Sequence, residues 1–161
     1  MYIIQAGHQF FIASCHNKMN KGYGYSVWLV TPKHPLLEKW IHTYNQHIFT
    51  PHTTLKSNLT LKDAKTYVKH LPTLVGEISF QGQCVRELPR GEYNNDPLYG
   101  WGLKVKLHGF HMEHTPHLTI HYSQKPLKSI PRLCPKKHRF AAVVCIADTR
   151  SLKPEKWKIL L

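Results

Sequence analysis

Apolar and polar positions divide the chain into strands and helices by their period. Residues 25–30, YSVWLV, are β-branched and aromatic and stop before Thr31-Pro32, the pattern of a buried strand. In PLLEKWIHTYNQ, Leu36, Leu37, Trp40, Ile41 and Tyr44 form a stripe at helical period, and Pro35 suits a first-turn position. HTTLKS has short β-branched character. Beyond it, Thr60 and Asp63 form an N-cap pair for a second helix, whose Leu61, Ala64, Val68 and Leu71 share a face. After Pro72 the period becomes two. TLVGEISFQGQCVREL reads as one bent strand or two short ones, with Gly76 and Gly82 at bends or bulges, and PRGEYNNDPLYG reads as a loop. WGLKVKLHG, HLTIHYS and FAAVVCIAD are further strands. The resulting order is β-α-β-α-β-β-β-β, and YIIQ…FFIA near the start fits a hairpin. No linker interrupts the pattern, so 1–161 reads as a single domain with 1–24 as an N-terminal extension.

Composition narrows the class. With 161 residues, 42% apolar and 19% charged, the chain can bury a core without disulfides or metal staples. No apolar run approaches the ~20 residues of a membrane span, and the first residues lack the positive stretch of a signal peptide. The expectation is a soluble, cytoplasmic (intracellular) protein with no membrane partner. Cys15, Cys84, Cys134 and Cys145 show no CxxC pairing and read as free thiols, Cys145 as core. The balance of 22 Lys+Arg against 9 Asp+Glu gives +13 and favours polyanionic partners such as nucleotides or RNA. The lysines are scattered; only PRLCPKKHR at 131–139 is a compact basic cluster.

Against that background one tetrapeptide stands out. Pro-His-x-Thr occurs at His52 and again at His117, 65 positions later, each time opening a strand. Composition alone would produce it on the order of 0.06 times, assuming independent positions. On a strand alternate side chains share a face, so His52 points with Thr54 and His117 with Thr119. A phosphodiester needs one group to take a proton from the attacking oxygen and another to protonate the leaving oxygen. Histidine, with an unperturbed pKa of ~6.5, does either near neutral pH. Threonine hydroxyls can donate to the non-bridging oxygens.

The doubled motif, the YSVW strand ahead of a helix and the aromatic residue three positions past Thr119 resemble the two-histidine (2H) phosphoesterases, the LigT-like and cyclic nucleotide phosphodiesterase group. The likeness runs from about Tyr25 to Asp148. It implies an α+β, two-lobed fold with antiparallel sheets flanking a central cleft and helices outside. It implies metal-independent cleavage of a phosphodiester adjacent to a ribose 2′-oxygen, with no cofactor. Substrates of that kind are 2′,3′-cyclic nucleotides and RNA-end cyclic phosphates, 2′-5′ oligonucleotides and cyclic dinucleotides. By position, His52 and His117 become the acid/base pair, Thr54 and Thr119 the phosphate-binding hydroxyls, and Trp28 and Tyr122 contacts for base or ribose. Trp28 reads equally as a core residue, and Tyr122 falls on the core face with Leu118 and Ile120 if its strand is regular. Which histidine is the base, and whether water or a 2′-hydroxyl attacks, stays open. The segment before the second motif lacks the helix found in many relatives, so that lobe is abbreviated.

Two other readings compete. His108, His111, His114, His117 and His121 would line a metal-binding face on a helix, but Gly109 and Pro116 disfavour a helix there. On a regular strand His117 and His121 share a face. A non-catalytic RNA- or nucleotide-binding module would explain the charge but not the repeated His and Thr. Oligomeric state leaves no mark in the sequence.

Overall fold

The fold is seen in a computed structural model that describes residues 24–45, 47–90, 98–112, 114–123, 125–126, 128–129, 138–151 and 153–160. The N-terminal hairpin expected within 1–23, Cys15 and Cys134, and most of the 131–139 basic cluster lie outside the described residues. The order of elements is β1 (Tyr25–Val30), α1 (Pro35–Tyr44), β2 (His52–Leu59), α2 (Leu61–Lys69), β3 (Val75–Arg90), β4 (Leu98–His108), β5 (His117–Ser123) and β6 (Arg139–Asp148), then a single 3₁₀ turn and a short β7 (Lys158–Ile159).

Local chemistry accounts for the helices. At α1, Pro35 occupies the first turn, and the His34 ring accepts from Leu36 N as N-cap. Leu37 and Ile41 are fully buried, each contributing roughly 1.5–3 kcal/mol by leaving water. At α2 the Thr60 hydroxyl accepts from Asp63 N at 3.1 Å and donates to the Asp63 carboxylate at 2.7 Å, while Ala64 seats the helix. Asp63 also places a negative charge at the positive end of the helix dipole.

All the described strands join one antiparallel sheet in the order β2-β1-β6-β3-β4-β5, with β7 added to β6. The strands expected in two separate sheets form one continuous sheet instead, because Val75–Ser79 pair with Val143–Arg139 and so join its β2-β1-β6 half to its β3-β4-β5 half. The edge strands β2 and β5 approach with Cα atoms within 8 Å, so the sheet is rolled until its ends meet. One face carries the core: Val27, Leu29, Ile78, Phe80, Trp101, Leu103, Leu118, Phe140, Val144 and Ile146 pack into one cluster with both helices. We call the opposite one the site face. β3 is a single strand bent at Gly82, whose φ of 69° marks the register shift between Phe80 and Cys84. Gly76 instead sits in regular register, close against the Phe110 ring. The segment read as a loop supplies the end of β3 and the start of β4 on either side of 91–97.

Candidate functional site

Both repeated tetrapeptides open an edge strand, and the two are built alike. The ring Nδ1 of His52 lies 2.7 Å from the Thr50 carbonyl, and that of His117 lies 3.1 Å from the Thr115 carbonyl. A carbonyl can only accept, so each Nδ1 carries the proton and each Nε2 is the basic position of the neutral ring. The proline explains the match. It confines the threonine before it to extended backbone and fixes its own φ, so the carbonyl two residues back meets the imidazole each time.

The strand registers share a second feature. Trp28 pairs with Thr54 and Val27 with Lys56, which leaves Leu55 as a bulge in β2. Gly102 pairs with Thr119 and Trp101 with His121, which leaves Ile120 as a bulge in β5. Each bulge is the residue directly after the motif threonine. A bulge inserts one residue and exchanges the faces of everything beyond it. Tyr122 therefore leaves the core face expected for a regular strand and joins His117 and Thr119 on the site face, opposite Gly100. His121 moves the other way, so His117 and His121 do not share a face. His121 is paired with the buried Trp101, and burial holds its pKa below the usual 6.5.

Asn45 at the end of α1 holds the second bulge in place. Its side-chain amide donates to the Ile41 and Ile120 carbonyls, each at 2.7 Å. Its side-chain oxygen accepts from Tyr122 N at 3.2 Å and His121 Nδ1 at 3.1 Å. Both donors and both lone pairs are used, and the open edge of β5 is closed at the point where its register changes.

The bulge brings Tyr122 to His52 across the rolled sheet, with hydroxyl and Nε2 3.4 Å apart. Trp28 lies flat on His52, ring centroids 3.7 Å apart and 14° from parallel. Two residues overlooked in the sequence complete an aromatic enclosure. Phe49 meets Tyr122 edge-on, and Trp157 contacts Trp28, His52 and Tyr122 at centroid distances of 5.6, 5.9 and 5.1 Å. Trp157 is fixed by its indole N–H, which donates to the Ser151 carbonyl at 2.6 Å, and by β7 pairing with β6. Nothing in the local sequence PEKWKI hints at this, because the contact depends on a C-terminal strand returning beside β6. His52 is only 1% exposed as a result, and Trp28 2%. Trp28 is thus at once packed and part of the site face, with Cys145 beside it on β6; burial raises the Cys145 thiol to about 11, which keeps it an inert packing group.

The structure brings His52, Tyr122 and Trp28 into contact; it sets Thr54 across from Trp28 and places His117 and Thr119 on the face that Tyr122 joins. Thr119 is buried and Thr54 half-buried. The run of five histidines is not helical: His108 ends β4 beside Ser79 and Glu77, and His117 and His121 belong to β5. Among the described residues no group of three or more His, Cys, Asp or Glu is arranged to hold a metal ion, and no helix is long and apolar enough to cross a membrane. Comparison with family models, with curated proteins and with solved structures returned no match.

Proposed function

We propose that the chain is a 2H-type phosphodiesterase acting on a phosphodiester adjacent to a ribose 2′-oxygen. The observation that carries this reading is the paired tether: two histidines on opposite edge strands, each with Nδ1 bound to the carbonyl two residues back, so that both bring Nε2 forward as the reactive nitrogen. One Nε2 takes the proton of the attacking water or 2′-hydroxyl. The other, protonated, gives its proton to the leaving oxygen. The fixed tautomer means neither ring must reorganise between the two states, and Thr54 and Thr119 donate to the non-bridging oxygens as charge builds on them.

Tyr122 gives the site a resting state. With Nδ1 as donor, His52 Nε2 accepts from the Tyr122 hydroxyl, and the phosphodiester takes over that position when it binds. Trp28, Trp157 and Tyr122 then flank the ribose or base. A rate assay on 2′,3′-cyclic nucleotides, 2′-5′ oligonucleotides and cyclic dinucleotides, run in EDTA, tests the reading. Turnover with a bell-shaped pH profile is expected, with a loss of roughly 10²–10⁴-fold in His52→Ala and in His117→Ala. Undiminished turnover in either variant would refute it.

A further inference from the structure

We propose that the site face carries a separate anion-binding row, Lys104, Lys106 and Arg139, which holds the phosphates of a single-stranded oligonucleotide extending from the His117 side of the site. The inference rests on the phosphodiesterase reading for the reaction at the histidines, and on sheet register for the row itself. The core positions of β4 are Trp101, Leu103, Val105 and Leu107, so Gly100, Gly102, Lys104 and Lys106 share the other face. Lys104 stands directly opposite His117 on β5. Lys106 stands opposite Ser79 on β3, which in turn stands opposite Arg139 on β6. Two residues along a strand span roughly 6.8 Å and two strands roughly 9.6 Å, so the three cations step away from His117 at intervals a nucleotide chain can follow.

The surface on the His52 side differs in kind. Opposite His52 is Val30, opposite Val30 is Val143, and opposite Val143 is Val75; Val143 is 53% and Val75 63% exposed. Positive charge thus continues from one histidine and apolar surface from the other. That polarity matches a substrate whose remaining phosphates all lie beyond one oxygen of the scissile group. Beside the row, opposite His108 and Ala141, Glu77 lies 3.5 Å from Arg139 Nη1 and 3.9 Å from His108 Nε2, an exposed cluster at the far end from His117. His52 is 1% exposed and has the Tyr122 hydroxyl on its Nε2, so a phosphodiester reaches it only by displacing Tyr122, which suits a flexible single strand better than a stiff duplex.

The test measures binding of a short fluorescent single-stranded RNA by anisotropy across a salt series. The proteins are wild type, Lys106→Ala, Arg139→Ala and a control with Lys62→Ala, Lys65→Ala and Lys69→Ala on the exposed side of α2. Each row variant is expected to weaken binding about three- to tenfold and to lower the slope of log affinity against log salt by roughly 0.7. The triple variant, which removes more charge, should change both less. Equal or larger loss in the triple variant would mean diffuse attraction and overturn the row, as would unchanged RNA binding in both row variants or equally tight binding of a polyglutamate peptide. A second arm compares turnover of a cyclic-phosphate-ended oligonucleotide with that of the mononucleotide; their kcat/KM ratio should fall in the row variants. Absence of turnover for every substrate would defeat the phosphodiesterase reading alone, because the binding arm still decides the row.

Discussion

In the half of the sheet built on β2, the motif histidine is stacked under Trp28 and closed over by Tyr122 and Trp157, while in the half built on β5 the cross-strand position equivalent to Trp28 is Gly102. The backbone device is the same in both: proline, carbonyl tether, histidine, threonine, bulge. An indole in one half thus stands where the other half has no side chain. His52 is almost fully covered, and His117 remains half-exposed beside a lysine. A repeated motif fixes how an imidazole is aimed. Its neighbours on the next strand decide what can reach it.

Filling the glycine is the sharpest way to break this comparison. A Cβ at Gly102 would lie 2.6 Å from the Leu118 carbonyl oxygen and 3.1 Å from the His117 ring, and the nearer atom is backbone that cannot swing aside. Gly102→Ala should cost roughly 1–3 kcal/mol in urea unfolding and reduce kcat by tenfold or more through displacement of His117. The reverse truncation, Trp28→Ala, leaves a cavity beside His52 in place of a clash and should cost about 3–5 kcal/mol in the same titration.

Next in size is Asn45→Ala. It leaves the Ile120 carbonyl and Tyr122 N without their side-chain partner at a half-buried edge, for a loss of about 1–3 kcal/mol. Its effect on kcat should shrink in a Tyr122→Phe background, because both changes act on the hydroxyl that meets His52 Nε2. Additive effects in that cycle would show that Asn45 acts on turnover independently of the Tyr122 hydroxyl.

The residue between histidine and threonine gives a smaller contrast. Leu118 is fully buried in the core, and its counterpart Thr53 is 1% exposed with a buried hydroxyl that has no partner among the described residues. Thr53→Val should therefore raise stability by about 1 kcal/mol in the same urea titration and leave turnover intact.

The smallest effect concerns pH. His121 is neutralised by burial, so its folded pKa lies below 6.5. Between that folded value and 6.5 the unfolded chain binds more protons, and stability rises with pH across the window. Its contribution is complete above about 6.5 and is lost as the pH falls toward the folded pKa. His121→Gln should flatten that acid limb of a thermal-melting series; an unchanged limb would place the pH dependence elsewhere.

Much of the architecture could be read from period and local chemistry. The Thr60–Asp63 cap, the Leu37–Ile41 stripe and the alternation along β4 and β6 each depend on residues close in sequence, so one chain is enough to reveal them. The pairing of His with Thr on each motif strand was legible for the same reason. Tyr122 and His121 were not, because the Ile120 bulge exchanges their faces, and it arises from register against β4 and from the Asn45 amide, 75 residues away in sequence from Ile120. Trp157 was illegible for a like cause: β7 must first pair with β6 before its indole arrives beside His52.

The sequence by itself determined the repeat of His52 with Thr54 and His117 with Thr119, and that each pair shares a face of its own strand, since period two and the proline act within a few residues. Only the tertiary structure decided that one sheet rolls until its edges meet, that Tyr122 closes onto His52, and that charge lies on one side and valines on the other. Those features are set by which strands become neighbours and in what register, and pairing between distant segments has no local trace to read.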